Sequence, residues 1–359
     1  KYDMPLDPEG TWGDDWVYED EIVYVHKSHV AIPLTATPGG DKSKFDRSTM
    51  KMVPMTYDEM RPGCYDRDAR IKEFEENWVD GSLPFPTMPR FCGQTFMEAQ
   101  DKELSDLCVK AYNDWMVDEW CGDSNGRLIP LTIVQLWDAD LAAAEVRRNA
   151  ERGVHAVCFS EIPPHLGLPS IHSGFWDPFF DACQDTNTTI NMHIGSSSRM
   201  PATSPDAPVA VAASLSFNNS MASMSDWLFS GKLVQFPDLK LAYSEGQIGW
   251  IPYILERADK VWEENRAWGG VSDAVTEPPS TYYFRQIWGC FFDDMYGLDN
   301  IEKCGIDNVC FETDYPHSDS TWPKSREVAE KMMAGLPDDV VRKLVRGNAI
   351  ELLQLDLEP

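Results

Sequence analysis

The feature that most constrains this fold is a sustained alternation of apolar runs and helical stretches from about residue 66 onward. Five runs are short, apolar and followed by polar residues: "RLIPLTIVQLW", "VHAVCFS", "TINMHIG", "LKLAYSE" and "NVCFETD". Such runs are typical of strands that are buried on both faces of a parallel sheet. Amphipathic stretches separate them, such as the helix predicted over 138–153, with Asp138 as its N-cap and Gly153 at its end. Strands and helices in this order predict an α/β protein with a parallel sheet.

Two architectures are usual for such a sheet, an open doubly wound sheet and an eight-stranded barrel. The sequence has no G-x-G-x-x-G after a strand and no G-x-x-x-x-G-K, which are the phosphate-binding loops of open sheets. We therefore expect a distorted (β/α)8 TIM-type barrel over residues 66–359. Residues 1–65 contain Pro and Gly throughout and one possible hairpin, and we expect an irregular segment or insertion that covers the barrel.

Composition excludes several classes of partner. Asp and Glu number 59 against 31 Lys and Arg, so the net charge is −28. This negative field repels nucleic acid and anionic membrane surfaces, which leaves a small molecule as the expected partner. No apolar run approaches the ~20 residues of a membrane-spanning helix. The nine cysteines form no C-x-x-C pair, which favours reduced thiols and a cytoplasmic location.

Ionisable side chains stand at the ends of three predicted strands: His193, Glu245 and Asp314. The C-terminal ends of barrel strands share one mouth, so we expect these side chains to meet around a single point. Each of them, taken singly, has an ordinary structural explanation such as a helix cap or a turn. Together they predict a catalytic centre that binds a metal, because imidazole and carboxylate groups are common ligands of divalent cations.

Further side chains at the predicted mouth are candidates for substrate contacts. Arginine binds carboxylates through paired hydrogen bonds, and aromatic rings line apolar pockets. The candidates are Arg90, Glu161, His172, Trp176, Arg199 and His317.

Three segments resemble the amidohydrolase-2 branch of the amidohydrolase superfamily, which includes aminocarboxymuconate-semialdehyde decarboxylase and resorcylate decarboxylase. They are "TINMHIGSSS", "FPDLKLAYSEGQIGWIPYILERAD" and "NVCFETDYPHSDSTWP". The resemblance implies a distorted (β/α)8 barrel, a homodimer and a divalent metal, with zinc expected first and manganese or iron as alternatives. It also implies that His193 binds the metal and that Asp314 ligates it and transfers a proton. Glu245 stands where the decarboxylases carry a catalytic His, and we expect it to act as a ligand or a general base.

The sequence departs from the family on the first strand, where two metal ligands form an H-x-H or E-x-H pattern. In "HKSHV", His29 precedes an apolar residue as the motif requires, but Lys27 occupies the position of its partner. We therefore expect the first strand to be missing from this sequence. A gap in the barrel and an incomplete metal site would follow.

These observations predict a metal-dependent hydrolase that uses a metal-activated water on a small amide, ester or thioester. The substrate is expected to carry an aromatic or carboxylate-bearing part. One alternative is a non-oxidative decarboxylase of an aromatic or unsaturated carboxylic acid on the same barrel. Another is a metal-free barrel used for binding or assembly, which the missing ligands favour.

Overall fold

A short antiparallel hairpin opens the part of the chain that the computed structural model describes, which comprises residues 13–23, 31–50, 53–271 and 273–357. Its strands are β1 (Trp16–Tyr18) and β2 (Glu21–Val23), so the hairpin predicted in the N-terminal segment is present. The described residues of 31–66 form six 3-10 turns and one isolated antiparallel bridge, between Pro33 and Met60. This part of the chain is irregular because Pro and Gly interrupt any longer helix.

Five parallel strands form the centre of the fold. They are β3 (Ala156–Phe159), β4 (Thr189–His193), β5 (Leu241–Ser244), β6 (Ile287–Phe291) and β7 (Val309–Phe311), and each pairs with the next in chain order. Two isolated parallel bridges continue the order before β3, from Thr132 to Val157 and from Ser82 to Leu128. Sequential parallel strands with helical connections are the arrangement of a (β/α)8 barrel, here in a distorted form.

Helices connect the strands along the whole barrel. Before β3 lie α1 (Arg67–Asn77), α2 (Gln94–Glu98), α3 (Lys102–Trp115) and α4 (Ala139–Ala150). Between β3 and β6 lie α5 (Asp177–Asp185), α6 (Val209–Ser214), α7 (Asn218–Phe229), α8 (Lys232–Gln235), α9 (Ile251–Glu264) and α10 (Pro279–Gln286). After β6 come α11 (Met295–Asp299) and α12 (Ile301–Cys304), and after β7 come α13 (Ser325–Met333), α14 (Asp338–Arg342) and α15 (Asn348–Leu353).

The core explains why the strands are so apolar. All residues of β3, β4 and β5 are buried, so alternation between an inner and an outer polar face is absent. Next to β3, four fully buried or nearly fully buried rings pack together: Phe159, Trp176, Phe180 and Trp227. Burial of a large apolar side chain contributes about 2–3 kcal/mol, so this aromatic cluster is a major source of stability.

Two elements differ from the sequence-based expectation. Strand β6 was not predicted, because it follows α10 without an intervening turn that would mark its start. The run over 127–137 forms only the bridges at Leu128 and Thr132 rather than a continuous strand. Pro130 lies between those bridges and has no N–H to donate to a ladder, which accounts for the interruption.

Strand β7 is at the edge of the described sheet: within the described ranges, β6 is the only strand that pairs with it. Cys310 and Phe311 of β7 line the same cavity as residues 82–86. The expected absence of a first strand stays a prediction, because "HKSHV" lies outside the described residues. No helix formed by the described residues is long and apolar enough to cross a membrane.

Candidate functional site

The ends of three strands bring the predicted trio of ionisable residues together. His193 is the last residue of β4, Glu245 directly follows β5, and Asp314 lies three residues beyond the end of β7. The Nε2 atom of His193 is 2.7 Å from Oε1 of Glu245, and a carboxyl oxygen of Glu245 lies within 4.8 Å of one of Asp314. The three side chains therefore form one contiguous cluster at the mouth of the barrel.

A group of three side chains in this cluster has the geometry of a metal site. Glu245, Asp314 and His317 each offer a ligand atom, and these atoms all lie within 4.8 Å of one another. The Nδ1 atom of His317 is 2.7 Å from Oδ2 of Asp314. Two carboxylates and an imidazole suit divalent cations such as manganese and zinc.

His317 was expected among the substrate contacts, but the structure places its ring beside Glu245 and Asp314, where it could bind a metal ion. The backbone N–H of His317 donates to the carbonyl of Asp314 at 2.9 Å, which closes a tight turn and sets both side chains on the same side. A signal in the sequence was the i, i+3 spacing of an acid and a histidine directly after an apolar strand.

His193 lies beside this group rather than in it. Its Nδ1 is 2.6 Å from the carbonyl of Ile194 and its Nε2 faces Glu245, so both ring nitrogens meet acceptors. Burial alone would lower the pKa of His193, but the Glu245 carboxylate and these hydrogen bonds outweigh burial and raise it. The ring is stacked on Phe91 and contacts the edge of Phe85, at centroid distances of 4.2 and 4.7 Å. The surroundings of His193 therefore favour its protonated form, which can donate a proton.

Buried acids surround His193. The Glu245 carboxylate keeps a pKa of about 2, because His193 offsets the burial that would raise it. Burial and then repulsion from Glu245 raise the pKa of Glu312 to about 8 and raise that of Asp314 well above its usual value. The Oδ2 atom of Asp314 is buried, and Nδ1 of His317, 2.7 Å away, does not meet it at hydrogen-bond geometry. Several carboxyl groups around one point fit a divalent cation, which would favour their ionised forms.

Glu312 was not among the predicted site residues, although the sequence carried a signal for it. Cys310, Glu312 and Asp314 alternate along and beyond β7, and in a strand such residues share one face. All three line the cavity, and Oε1 of Glu312 accepts a hydrogen bond from the backbone N–H of Glu245 at 2.6 Å. Glu312 therefore connects the end of β7 to the end of β5.

The backbone of the site is strained at its two acids. Glu245 and Asp314 have φ values of 58° and 57°, in the left-handed region that costs a residue with a side chain about 1 kcal/mol or more. Such conformations persist where the surrounding structure imposes them, and they are concentrated at functional sites. At Glu245 the constraint comes from Glu312 and from Asp294, whose Oδ2 accepts from the backbone N–H groups of Ile248 and Gly249.

A cavity of about 1920 Å³ opens onto the cluster. Its lining includes His193, Glu245, Asp314 and His317 together with a largely aromatic and aliphatic wall. Arg90 also lines the cavity. Its Nη1 donates to Glu98 at 2.6 Å and its Nη2 donates to Ser198.

Four residues predicted to contact substrate do not line this cavity. Trp176 is fully buried in the core, and its indole N–H donates to the carbonyl of Pro169. Glu161 is buried and accepts from the Ser220 hydroxyl at 2.6 Å. His172 and Arg199 are exposed outside the cavity, with His172 paired to Asp226. The sequence pattern placed them near strand ends but did not show which way each side chain points.

The two histidines of the first-strand motif, His26 and His29, lie outside the described residues.

Comparison with known proteins defines the class of this barrel. The model of the amidohydrolase family matches residues 27–355, so the chain belongs to the amidohydrolase family. No curated protein sequence matches the chain.

Solved structures with the same fold include decarboxylases. An amidohydrolase from Mycobacterium avium subsp. paratuberculosis is 20% identical, with a TM-score of 0.69 over 94% of this chain and 87% of that one. A 5-carboxyvanillate decarboxylase from Sphingomonas paucimobilis is 21% identical, with a TM-score of 0.63 over 84% of this chain and 88% of that one. A dihydroxybenzoic acid decarboxylase from Polaromonas, with bound manganese and 2-nitroresorcinol, is 18% identical, with a TM-score of 0.65 over 81% and 87%. At these identities the likeness establishes a common fold.

Proposed function

We propose that this amidohydrolase-family chain is a decarboxylase that uses a divalent cation to remove carbon dioxide from an aromatic carboxylic acid. The observation that carries the proposal is the group of Glu245, Asp314 and His317 with an imidazolium, His193, beside it at a cavity with aromatic walls. Structural relatives that are decarboxylases of hydroxylated benzoic acids, one with bound manganese, support it. Decarboxylation thus takes precedence over the hydrolysis that the sequence favoured, and manganese over zinc as the first cation to test.

Glu245, Asp314 and His317 would hold the cation, which supplies a positive charge that withdraws electrons from the carboxylate and neighbouring oxygens of a substrate. The bond between the ring carbon and the carboxyl carbon breaks, carbon dioxide leaves, and the ring carbon takes a proton. His193 holds that proton on Nε2, and Oε1 of Glu245 keeps the imidazole oriented. Phe85 and Phe91 exclude water from the other side of the imidazole.

Arg90 is the proposed contact for a polar group on the substrate ring. Arg90 lines the cavity, as does its chain neighbour Phe91. Because Glu98 and Ser198 already accept from both terminal nitrogens, Arg90 is held rigidly for this contact.

Hydrolysis remains a second candidate because of one observation. Glu245 stands where the decarboxylases resembled by this sequence carry a His, and a carboxylate with a pKa of about 2 can act as a ligand but not as an acid. As a ligand, Glu245 would help to hold a cation that activates water for attack on an ester or amide.

The proposal predicts a cation-dependent release of carbon dioxide. Protein treated with a chelator and then reloaded with Mn²⁺ is incubated with a panel of mono- and dihydroxybenzoates, and carbon dioxide and the phenolic product are quantified. We expect equimolar carbon dioxide and phenol with Mn²⁺ and none after chelation. Asp314→Asn should lose at least about 100-fold in rate, because it removes a charged ligand. Asp293→Asn is the matched control, because Asp293 is an exposed acid just after β6 and outside the metal group.

Two outcomes would overturn decarboxylation. One is a rate that is unchanged by chelation or by Asp314→Asn. The other is turnover of esters or amides in H₂¹⁸O that places ¹⁸O in the product acid while no carbon dioxide appears, which would establish the hydrolase instead.

A further inference from the structure

The loop that carries two of the proposed metal ligands is held by side chains from distant parts of the chain. We define the site loop as residues 314–322, which follow β7. Arg47, from the irregular N-terminal segment, donates to the carbonyl groups of Ser318 at 2.6 Å, Trp322 at 3.3 Å and also Ser320. These bonds satisfy backbone acceptors of a loop that forms no helix or strand of its own.

Tyr315 is the centre of a second, more deeply buried set of contacts. Its hydroxyl donates to Oε2 of Glu73 on α1 at 2.6 Å. Nε of Arg61 lies 2.9 Å from the Tyr315 hydroxyl oxygen and 3.2 Å from Oε1 of Glu73. Tyr315 is 8% exposed, and the Arg61 and Glu73 side chains are 13% and 10% exposed, so the three groups are mutually satisfied away from bulk water.

Aromatic packing restrains the same residues from the other side. The Tyr315 ring is stacked with Trp322 at the far end of the site loop, with centroids 5.8 Å apart. Arg61 lies over the Trp322 ring at 4.8 Å, and Arg70 donates to the carbonyl of Tyr315 at 3.2 Å. The Tyr315 side chain and its carbonyl are therefore both held in place.

These contacts act directly on the metal group because Tyr315 is the next residue after Asp314. Asp314 has a left-handed backbone, a conformation that the surrounding structure must impose. A buried ion pair such as Arg61 and Glu73 is a weak source of stability, since desolvation offsets most of the attraction. A network of this kind is better suited to fixing geometry than to stabilising the fold.

We propose that Tyr315, Glu73 and Arg61 form a positioning triad that sets Asp314 and His317 at the spacing required to bind a divalent cation. The inference deepens the proposed function and rests on it for the cation. The triad does not touch the substrate or the cation. It connects α1 and the N-terminal segment to the site loop. These two distant parts of the chain therefore determine how tightly the site binds the cation.

The test measures cation affinity rather than turnover. Mn²⁺ binding to the full chain is followed by the electron paramagnetic resonance signal of the free ion. Tyr315→Phe removes the hydroxyl but keeps the ring, so the stacking on Trp322 stays. We expect the dissociation constant for Mn²⁺ to increase about 10- to 100-fold, as is usual when groups that orient metal ligands are removed.

Tyr283→Phe is the matched control, because the Tyr283 hydroxyl is also buried and donates one hydrogen bond, to the carbonyl of Cys304 at 2.7 Å. It should lower the melting temperature by a comparable amount and leave Mn²⁺ affinity unchanged. A triad with a merely structural role would give both variants the same affinity. That result would overturn the inference.

Arg61→Lys keeps a cation but loses the Nε donor, and it decides the question if Tyr315→Phe does not fold. Weaker Mn²⁺ binding by folded Arg61→Lys supports the triad, and unchanged binding overturns it. Wild-type protein that binds no Mn²⁺ refutes the proposed metal-dependent function itself. Wild-type binding with unaffected variants refutes the triad alone.

Discussion

At the scale of single residues, the distribution of charge around His193 decides what the site can do. The imidazolium keeps Glu245 ionised, and Glu245 in turn favours the protonated forms of Asp314 and Glu312. The pKa values of neighbouring buried acids are therefore shifted in opposite directions, as is common at functional sites. A fourth acid, Glu161, does not line the cavity, but burial raises its pKa as well.

Glu161 predicts a pH dependence of stability. Burial raises its pKa from 4.5 to about 7, and the Ser220 hydroxyl opposes this only in part. Between these values the folded state binds more protons than the unfolded state, so stability that Glu161 contributes below about pH 4.5 is lost as the pH rises through 7. Glu161→Gln mimics the neutral acid and should remove this loss. We expect the variant to be more stable than the wild type by roughly 3 kcal/mol at pH 8 and nearly equal at pH 4.5.

The measurement is urea unfolding of both proteins in the presence of a chelator, at pH 4.5, 6 and 8. The chelator is needed because a cation bound near Glu161 would change the pKa of this side chain. A stability difference that is independent of pH, or a variant less stable than the wild type at pH 8, would contradict the raised pKa.

At the scale of helices and strands, local signals account for the elements that were predicted correctly. The Asp138 side chain accepts from the backbone N–H groups of Asp140 and Leu141 at 3.0 Å, which starts α4 at the expected residue. Asp66 caps α1 in the same way by accepting from Ala69. Strand β6 has no such signal at its start, because α10 ends at Gln286 and the strand begins at the next residue.

The cap at Asp138 predicts a measurable loss of stability. Asp138→Ala leaves two N–H groups at the first turn of α4 without their acceptor, and we expect a cost of about 1 kcal/mol. Asp140→Ala, an exposed change in the same turn, removes only a favourable charge near the helix N-terminus and should cost about 0.3 kcal/mol. Chemical denaturation of the two variants checks the order, and equal costs would show that the cap is not stabilising.

At the scale of the whole molecule, most of the cysteines lie in the buried core, where their thiols are protected from solvent. Seven of the nine are buried, and the other two, Cys64 and Cys108, are partly buried. Burial raises the pKa of Cys121 and of Cys304 to about 12, so these thiols stay protonated. Protonated thiols are poor nucleophiles, which fits free cysteines with a structural role.

The cysteines give a prediction for the folded protein. With Ellman's reagent at pH 8, we expect at most two thiols to react while the protein is native, and all nine after unfolding in guanidinium. Rapid reaction of more than two thiols in native protein would show that the barrel opens far more readily than its packing implies. Pre-treatment with a reductant is the control against oxidised thiols.

The sequence by itself determined the class of the fold and predicted that three ionisable residues meet at its mouth. Apolar runs, capping residues and polar strand ends are local features, and they predict a parallel barrel with His193, Glu245 and Asp314 at one mouth. Only the tertiary structure decided which other residues lie beside this trio. It places His317 and Glu312 next to the trio and buries Trp176 in the core. It also brings Arg61 and Glu73 into hydrogen-bond contact with Tyr315. These placements depend on side-chain direction and on contacts between distant segments. Spacing along a chain does not encode such directions, because they are set by how the elements pack.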